Sequence, residues 1–216
     1  MPLTIIPVTT KKEMKQFICF NYALYKDSPY AVPELYTDVR DTLDPNKNAA
    51  FEFCEAQPFI ALRDGKVVGR IVAIINHKAN SVWNKKAVRF GWVDFIDDVE
   101  VVDALFATVE QWGRERGMTE AHGPLGFTDF DPEGMLVEGF DRIGTMATIY
   151  NYPYYPVHLE RMGYVKDVDW MEYLLTAPEA LPEKHARITR IVKEKYGLRV
   201  VKYTSHSKLA RERGVA

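Results

Sequence analysis

The segment Val88-Arg-Phe-Gly-Trp-Val-Asp-Phe-Ile96 opens the stretch of sequence that decides the fold, and the stretch runs on to Leu175. Apolar residues occupy both faces of this segment, which predicts a central strand covered on both sides. Apolar residues at helical spacing follow from Val99 to Arg116, and Gly117 ends the predicted helix. The change from strand spacing to helical spacing indicates a layered sheet with helices packed on it.

Two further features complete the stretch. A short predicted strand at Thr119–His122 leads into a loop rich in Gly and Pro. A tyrosine-rich turn, Asn151-Tyr-Pro-Tyr-Tyr-Pro156, comes later, and a short helix runs directly out of it over residues 157–164. The order strand, helix, strand, loop, turn and helix is the main evidence for the fold class.

The upstream half has clear local signals. Thr10 and Glu13 have the spacing of a capping box, which predicts a helix from residue 11 to about residue 26. Asp64-Gly65 predicts a tight hairpin between strands at 58–63 and 66–75. Gly69, inside the second of these strands, predicts a bulge or a close approach of another segment.

The remaining segments give weaker patterns. Residues 27–50 are predicted to be mostly loop, with one helical turn after Pro33, and residues 76–86 form a polar connector. Further predicted elements are a short helix over 131–139, a strand over 167–176, a helix over 182–196, a strand over 198–203 and an unfinished helix from 206. We expect one domain over 1–180, with 181–216 either completing its sheet or starting a second domain. The unfinished helix suggests a truncated or naturally shortened chain.

Composition excludes several classes of protein. The chain has 216 residues and is 47% hydrophobic and 27% charged, as in an ordinary globular domain with a full core. A net charge of −2 and scattered Lys and Arg argue against nucleic-acid partners. The longest apolar runs are too short to span a bilayer, and no signal peptide is evident. Cys19 and Cys54 lie in unrelated contexts, which predicts no disulfide and no zinc site and fits a cytoplasmic location.

Several short motifs together resemble the GNAT superfamily of acyl-CoA N-acyltransferases, and more closely an uncharacterised bacterial branch of longer proteins. The motifs are Asp44-Pro45-x-Lys47-Asn48, Gly117-Met118 with Gly123-Pro124, Gly134-Met-Leu-Val-Glu-Gly-Phe-Asp141, Tyr150-Asn151-x-Pro153-Tyr154-Tyr155 and Glu160-x-x-Gly163-Tyr164. The resemblance implies an α/β (α+β layered) fold. Its central sheet is mixed and mostly antiparallel, with a splayed parallel strand pair and helices on both faces.

The resemblance also implies a place for a donor. The family binds acyl-CoA in a V-shaped opening between its fourth and fifth strands, here the strands at 88–96 and 119–122. Splayed strands leave backbone groups unpaired, and the peptide-like pantetheine arm pairs with them. Acetyl-CoA or another acyl-CoA is then the co-substrate, and its implied contacts are Val93, Phe95, Val99 and Asn151. No metal is needed.

The sequence departs from the family pattern where the pyrophosphate would bind. The family has a Gly-rich, cationic loop before the helix, but this chain has Asp97, Asp98 and Glu100 there. Each carboxylate would repel a phosphate by about 1 kcal/mol or more if partly screened. An ordinary helix N-cap at Asp98 explains the same residues without any ligand.

A second departure concerns the catalytic acid. An ungapped match puts Leu159 where the family often has the tyrosine that reprotonates the CoA thiolate. Tyr154, Tyr155 and His158 are close in sequence and are candidates to replace it. A Tyr beside a Pro also packs commonly with its hydroxyl in water, so both interpretations stay open.

Candidates for a general base are Asp94 on the central strand and, more weakly, Glu172. Asp94 alternates with apolar neighbours and is predicted to face a cleft, although an exposed strand face or a pair with Arg89 fits equally. His122 ends a strand near the proposed cleft, where a lone histidine is commonly structural.

These residues lead to the hypothesis of acyl transfer from acyl-CoA to an unknown small-molecule or peptide amine. A neutral amine would attack the thioester directly, and a backbone amide of Val93–Phe95 would polarise the carbonyl. Two alternatives stay open. One is a non-catalytic GNAT-fold scaffold or ligand-sensing module, and the other is a transferase that uses a non-CoA donor such as aminoacyl-tRNA. The sequence predicts no membrane partner, and a homo-oligomer is compatible with it.

Overall fold

A computed structural model of the chain describes residues 2–146 and 148–205. The chain divides into two compact units, Met1–Lys166 and Asp167–Ala216. The candidate site lies in the first unit. The expected boundary near residue 180 stays a prediction.

The first unit contains five strands and five α-helices among its described residues. In chain order they are β1 (Thr4–Pro7), α1 (Lys11–Leu24), α2 (Tyr36–Thr42), a 3-10 turn (Ala49–Glu52), β2 (Cys54–Arg63), β3 (Lys66–Asn76), α3 (His77–Trp83), β4 (Ala87–Phe95), α4 (Val99–Arg114), β5 (Glu120–His122) and α5 (Tyr154–Arg161). The second unit contains α6 (Glu183–Tyr196), which ends as predicted at Gly197 with φ of +61°.

The sheet has the order β1-β2-β3-β4-β5. The first three pairs of neighbours are antiparallel, and β4 and β5 are parallel. One core lies between the sheet and helices α4 and α5, and a second lies between the sheet and helices α1 and α2. The predicted fold class, a mixed and mostly antiparallel sheet with one parallel pair and helices on both faces, is therefore confirmed.

The local signals upstream are also confirmed. Thr10 caps α1 and exchanges hydrogen bonds with Glu13 in a complete capping box. Asp64 and Gly65 both have positive φ, which a tight hairpin with the twist of the flanking strands requires. The register between β2 and β3 shifts next to Gly69, and a Cβ there would lie 2.6 Å from Leu105 Cδ1. Gly69 therefore marks both a bulge and the place where α4 approaches the sheet closely.

Several predicted elements are wrong. The predicted helix over 131–139 is irregular, because Gly134 and Gly139 both adopt φ of +86°, outside the helical region. The segments 167–176 and 198–203 form no strand, and the structure shows no neighbouring strand for them among the described residues. The polar connector at 76–86, for which no helix was predicted, contains α3, because the Asn76 side chain accepts a hydrogen bond from Ala79 N and starts a helix. The helix predicted from residue 206 lies outside the described residues.

Across residues 2–146 and 148–205, no helix is long and apolar enough to cross a membrane.

Candidate functional site

The parallel strands β4 and β5 pair over only three residues, which lie at the start of β4. Ala87, Val88 and Arg89 of β4 are opposite the three residues of β5. The next carbonyl, that of Phe90, accepts a hydrogen bond from Leu125 N at 2.8 Å, after the chain has left β5. Among the residues that the structure describes, no strand pairs with the outer edge of β4 from that point to its end at Phe95. The opening between β4 and β5 that the sequence predicts is therefore present.

A bulge shapes this unpaired end of β4. Asp94 is opposite Arg70 of β3, whereas Gly91 is opposite Val72, so β4 contains one extra residue between them. Trp92, within the bulge, has φ of 43°. A bulge bends its strand and re-aims the side chains that follow it. The bulge comes directly before Val93, Asp94 and Phe95.

The backbone of Phe95 is paired with tyrosine side chains. Phe95 N donates to the Tyr155 hydroxyl at 3.1 Å, and Phe95 O accepts from the Tyr154 hydroxyl at 2.7 Å. The Phe95 and Tyr155 rings are stacked with centroids 4.1 Å apart. The opening thus presents one donor and one acceptor side by side, and two hydroxyls of α5 occupy them.

Asp94 is the centre of a buried hydrogen-bond network. Its side chain is only 5% exposed. One carboxylate oxygen accepts from the hydroxyls of Tyr25 at 2.9 Å and Tyr155 at 3.2 Å. The other oxygen accepts from Arg70 Nε at 2.6 Å and Asn21 Nδ2 at 3.0 Å. The open alternatives for Asp94, an exposed face or a pair with Arg89, are both excluded.

Arg70 links Asp94 to a second carboxylate. Its side chain is 2% exposed, and its Nη2 donates to Glu34 at 2.8 Å. One arginine between two carboxylates leaves a net charge of −1 beside the opening. Sequence analysis missed Arg70, although an arginine inside an otherwise apolar strand was a visible signal. Glu34, Asn21 and Tyr25 gave no such signal.

The tyrosines of the site are protonated hydrogen-bond donors. Burial and the Asp94 carboxylate raise the pKa of Tyr25 and of Tyr155 well above the ordinary tyrosine value. Burial and Asp97 raise the pKa of Tyr154 in the same direction. Tyr25 and Tyr155 hydroxyls also lie 2.8 Å apart, so the two share a continuous network with Asp94.

The N-terminus of α4 is already occupied by protein groups. Asp98 is the N-cap and accepts from Val101 N at 3.2 Å, which confirms the N-cap interpretation. Arg63 bridges Asp98 at 2.6 Å and Glu100 at 2.7 Å. The hydrogen bond from Arg63 lowers the pKa of Asp98. This end of α4 therefore does not fit a pyrophosphate bound in the usual manner.

The other residues predicted to contact the acyl-CoA differ from one another in burial. Val99 is 49% exposed at the start of α4, and Val93 packs partly buried against the core. Asn151 is 2% exposed; its Oδ1 accepts from Leu136 N at 2.7 Å and its Nδ2 donates to the Leu136 and Tyr152 carbonyls. The hydrogen bonds of Asn151 thus connect the loop around Leu136 to the tyrosine-rich turn.

The remaining candidates from the sequence lie elsewhere. His122 is half-buried at the end of β5, and Glu172 is exposed in the second unit. No group of three or more metal-ligating side chains occurs in the part of the chain that the structure describes.

Helix α5 is fastened to α4 and to the loop before it. His158 Nε2 and Asp97 Oδ1 are 2.8 Å apart, and Arg161 forms an ion pair with Asp103. Beyond the end of α5, the Tyr164 hydroxyl donates to a carboxylate oxygen of Glu110 at 3.0 Å. These links hold the side chains of α5 against the open end of β4.

Two curated proteins resemble the chain. No family model matches the sequence. Protein YghO of Escherichia coli strain K12 is 33% identical over 166 residues, which cover 75% of this chain and 42% of that protein. A protein of Caulobacter vibrioides named bacterial ceramide synthase is 33% identical over 182 residues, which cover 84% of this chain and 47% of that protein. The chain therefore spans less than half the length of these curated relatives.

The fold also resembles a solved structure. A tandem GNAT protein from the clavulanic acid biosynthesis pathway, determined without AcCoA, superposes with a TM-score of 0.51 at 15% identity. The similarity covers 75% of this chain and 43% of that one. The chain thus has the GNAT fold, as its sequence motifs led us to expect.

Proposed function

We propose that the first unit is an N-acyltransferase domain that takes an acyl group from acyl-CoA and passes it to an amine. The observation that carries the proposal is the pairing of Phe95. Its N–H and C=O face the opening beside β4, and both are paired with side-chain hydroxyls instead of a strand. An acyl-pantetheine arm can replace both hydroxyls, because its thioester carbonyl can accept from Phe95 N–H and its first amide N–H can donate to Phe95 O.

The donor fits only in part. The thioester arm matches the edge of β4, with Phe95 N–H available to donate to the thioester carbonyl once the Tyr155 hydroxyl moves aside. At the N-terminus of α4, where a pyrophosphate would bind, there are three carboxylates and one arginine, Arg63. Binding energy in this proposal therefore comes mainly from the arm and the acyl chain.

The buried network supplies the proton chemistry. The net charge of −1 around Arg70 favours a cationic ammonium group nearby. Asp94 is the proposed base, acting through Tyr25: the hydroxyl oxygen of Tyr25 accepts a proton from the amine while its own proton passes to Asp94, 2.9 Å away. Tyr154 and Tyr155 stay the proposed acids, because protonated hydroxyls beside Phe95 can donate to the leaving sulfur.

The acceptor is proposed from the relatives. A ceramide is the N-acyl derivative of a long-chain amino alcohol, so the name of the Caulobacter vibrioides protein describes N-acylation. We therefore place long-chain amines first among the acceptors for this chain, ahead of small hydrophilic amines and peptide N-termini.

The experiment is a two-stage assay. Calorimetry with CoA, acetyl-CoA and a long-chain acyl-CoA measures donor binding, and thiol release on addition of sphinganine or a peptide amine measures transfer. We expect saturable donor binding and amine-dependent thiol release by the unaltered protein. Tyr155→Phe should reduce release, whereas Tyr173→Phe, an exposed tyrosine of the second unit, should not. Absence of binding by every acyl-CoA would contradict the proposal.

A second candidate function is a non-catalytic module that senses or holds a ligand. The filled N-terminus of α4, with its Arg63–Asp98 pair, favours it. The same assay separates the two functions. A module that only binds would show donor binding without thiol release for any amine tested.

A further inference from the structure

His158 is a buried histidine with one nitrogen in use. Its side chain is 8% exposed, and its Nε2 lies 2.8 Å from Asp97. Its Nδ1 is buried and has no hydrogen-bond partner among the described residues. In the same part of the chain, the only other buried side-chain atom without a partner is Nη1 of Arg70.

The hydrogen bond at Nε2 fixes the role of the other ring nitrogen. Asp97 accepts a hydrogen bond, so the Nε2 of His158 carries a hydrogen. In the neutral ring Nδ1 is then a lone-pair acceptor. A buried acceptor without a donor costs stability, which indicates that a hydrogen-bond donor is missing from this place.

The ring of His158 lies beside the open end of β4. His158 lies one helical turn after Tyr154 on α5, so both face the same side. Its ring meets the Phe95 ring edge-on at 5.9 Å and the Tyr154 ring at 6.1 Å. Phe95 O, Tyr154 and His158 are therefore neighbours beside the open end of β4, between the opening and the N-terminus of α4.

We infer that Nδ1 of His158 accepts a hydrogen bond from an amide N–H of the donor's thioester arm. This inference rests on the proposed function, because it assigns a further contact at the same site. A pantetheine arm carries two amide N–H groups in sequence. The first N–H pairs with Phe95 O after the Tyr154 hydroxyl moves away, and the second donates to Nδ1 of His158 on α5. The contact with His158 thereby strengthens binding of the arm, which offsets the weak binding of the pyrophosphate at the N-terminus of α4.

Two substitutions separate the two nitrogens of the ring. The side-chain amide of Gln reaches the position of Nε2, so His158→Gln keeps the contact with Asp97. It has no acceptor at the position of Nδ1. The amide of Asn reaches the place of Nδ1, so His158→Asn keeps that acceptor and loses the contact with Asp97. The probes are free pantetheine and CoA, and calorimetry gives the dissociation constant of each.

We expect His158→Gln to bind pantetheine about fivefold more weakly than the unaltered protein, as for one lost hydrogen bond. His158→Asn keeps the acceptor and should therefore bind pantetheine more tightly than His158→Gln. Circular dichroism confirms that both variants are folded before titration.

The outcomes distinguish this inference from the proposed function. If His158→Asn loses affinity while His158→Gln keeps it, or if neither changes, then Nδ1 does not contact the arm. The proposed donor binding still stands in that case. If the unaltered protein binds CoA but not pantetheine, the nucleotide supplies the affinity and this inference alone is overturned. If it binds neither, both are overturned.

Discussion

Replacing Asp94 by Asn tests the buried network most severely. The substitution keeps the shape of the side chain but removes a charge that accepts from Arg70 Nε at 2.6 Å and from three other donors. Arg70 is 2% exposed, so its guanidinium would keep only the partly exposed Glu34 as a charged partner. Breaking one partner from a buried ion pair typically costs about 3–5 kcal/mol. For a unit of this size, that corresponds to a fall in Tm on the order of 10 °C.

The assay is urea unfolding followed by circular dichroism, with thermal unfolding in parallel. Glu34→Gln is the matched control, because its side chain is 29% exposed and the amide oxygen can still accept from Arg70. We expect this control to lose about 1 kcal/mol or less. The double variant Arg70→Met with Asp94→Asn should be less destabilised than the sum of the two single variants, because it leaves no unpaired buried charge. An Asp94→Asn variant as stable as Glu34→Gln would refute the assignment of Asp94 as the centre of the network.

Three further predictions concern the surroundings of the site. Asn151→Ala removes three hydrogen bonds between the buried Asn151 side chain and the backbone of Leu136 and Tyr152. We therefore expect faster limited proteolysis within residues 131–149, with the cleavage sites located by mass spectrometry. Equal cleavage rates in the variant and the unaltered protein would contradict the proposed role of Asn151 in holding this loop. Gly69→Ala should cost about 1–3 kcal/mol in thermal unfolding, because its Cβ would lie 2.6 Å from a side-chain carbon of α4. Arg63 lowers the pKa of Asp98, so their pair stabilises the fold above the ordinary carboxyl pKa near 4, and the effect is lost as pH falls through the lowered pKa. On acidification, the free energy of unfolding should therefore fall less in Arg63→Met than in the unaltered protein, with a difference under about 1 kcal/mol. Chemical denaturation at several pH values measures this difference. Identical pH profiles for the two proteins would count against the pair.

Local sequence patterns predicted most of the fold correctly. The capping box at Thr10, the hairpin at Asp64-Gly65 and the helix ended by Gly197 each depend on a few neighbouring residues, and each is confirmed. The failures also have local causes. Polar residues after Asn76 concealed α3, and the strand predicted over 167–176 has no neighbouring strand among the described residues.

The candidate site was predictable only in outline. The resemblance to the GNAT superfamily led to the prediction that Asp94, Tyr154 and Tyr155 lie near one opening. It gave no indication of Tyr25, which is 69 residues before Asp94 and bonds to it. Arg63 is 35 residues before Asp98, so the cation that neutralises part of the α4 N-terminus was invisible to a motif search. Contacts of this kind depend on how the elements pack and not on local spacing.

The proposed function depends on an acyl-pantetheine arm that replaces the tyrosine hydroxyls at Phe95. The most direct test is the affinity for pantetheine of Tyr154→Phe, which removes the hydroxyl that occupies Phe95 O at 2.7 Å. Tyr164→Phe is the matched control, because its hydroxyl bonds to Glu110 and not to Phe95. We expect Tyr154→Phe to bind pantetheine about fivefold more tightly than the unaltered protein, since the arm no longer displaces a hydrogen bond. Unchanged or weaker binding by Tyr154→Phe would contradict this replacement.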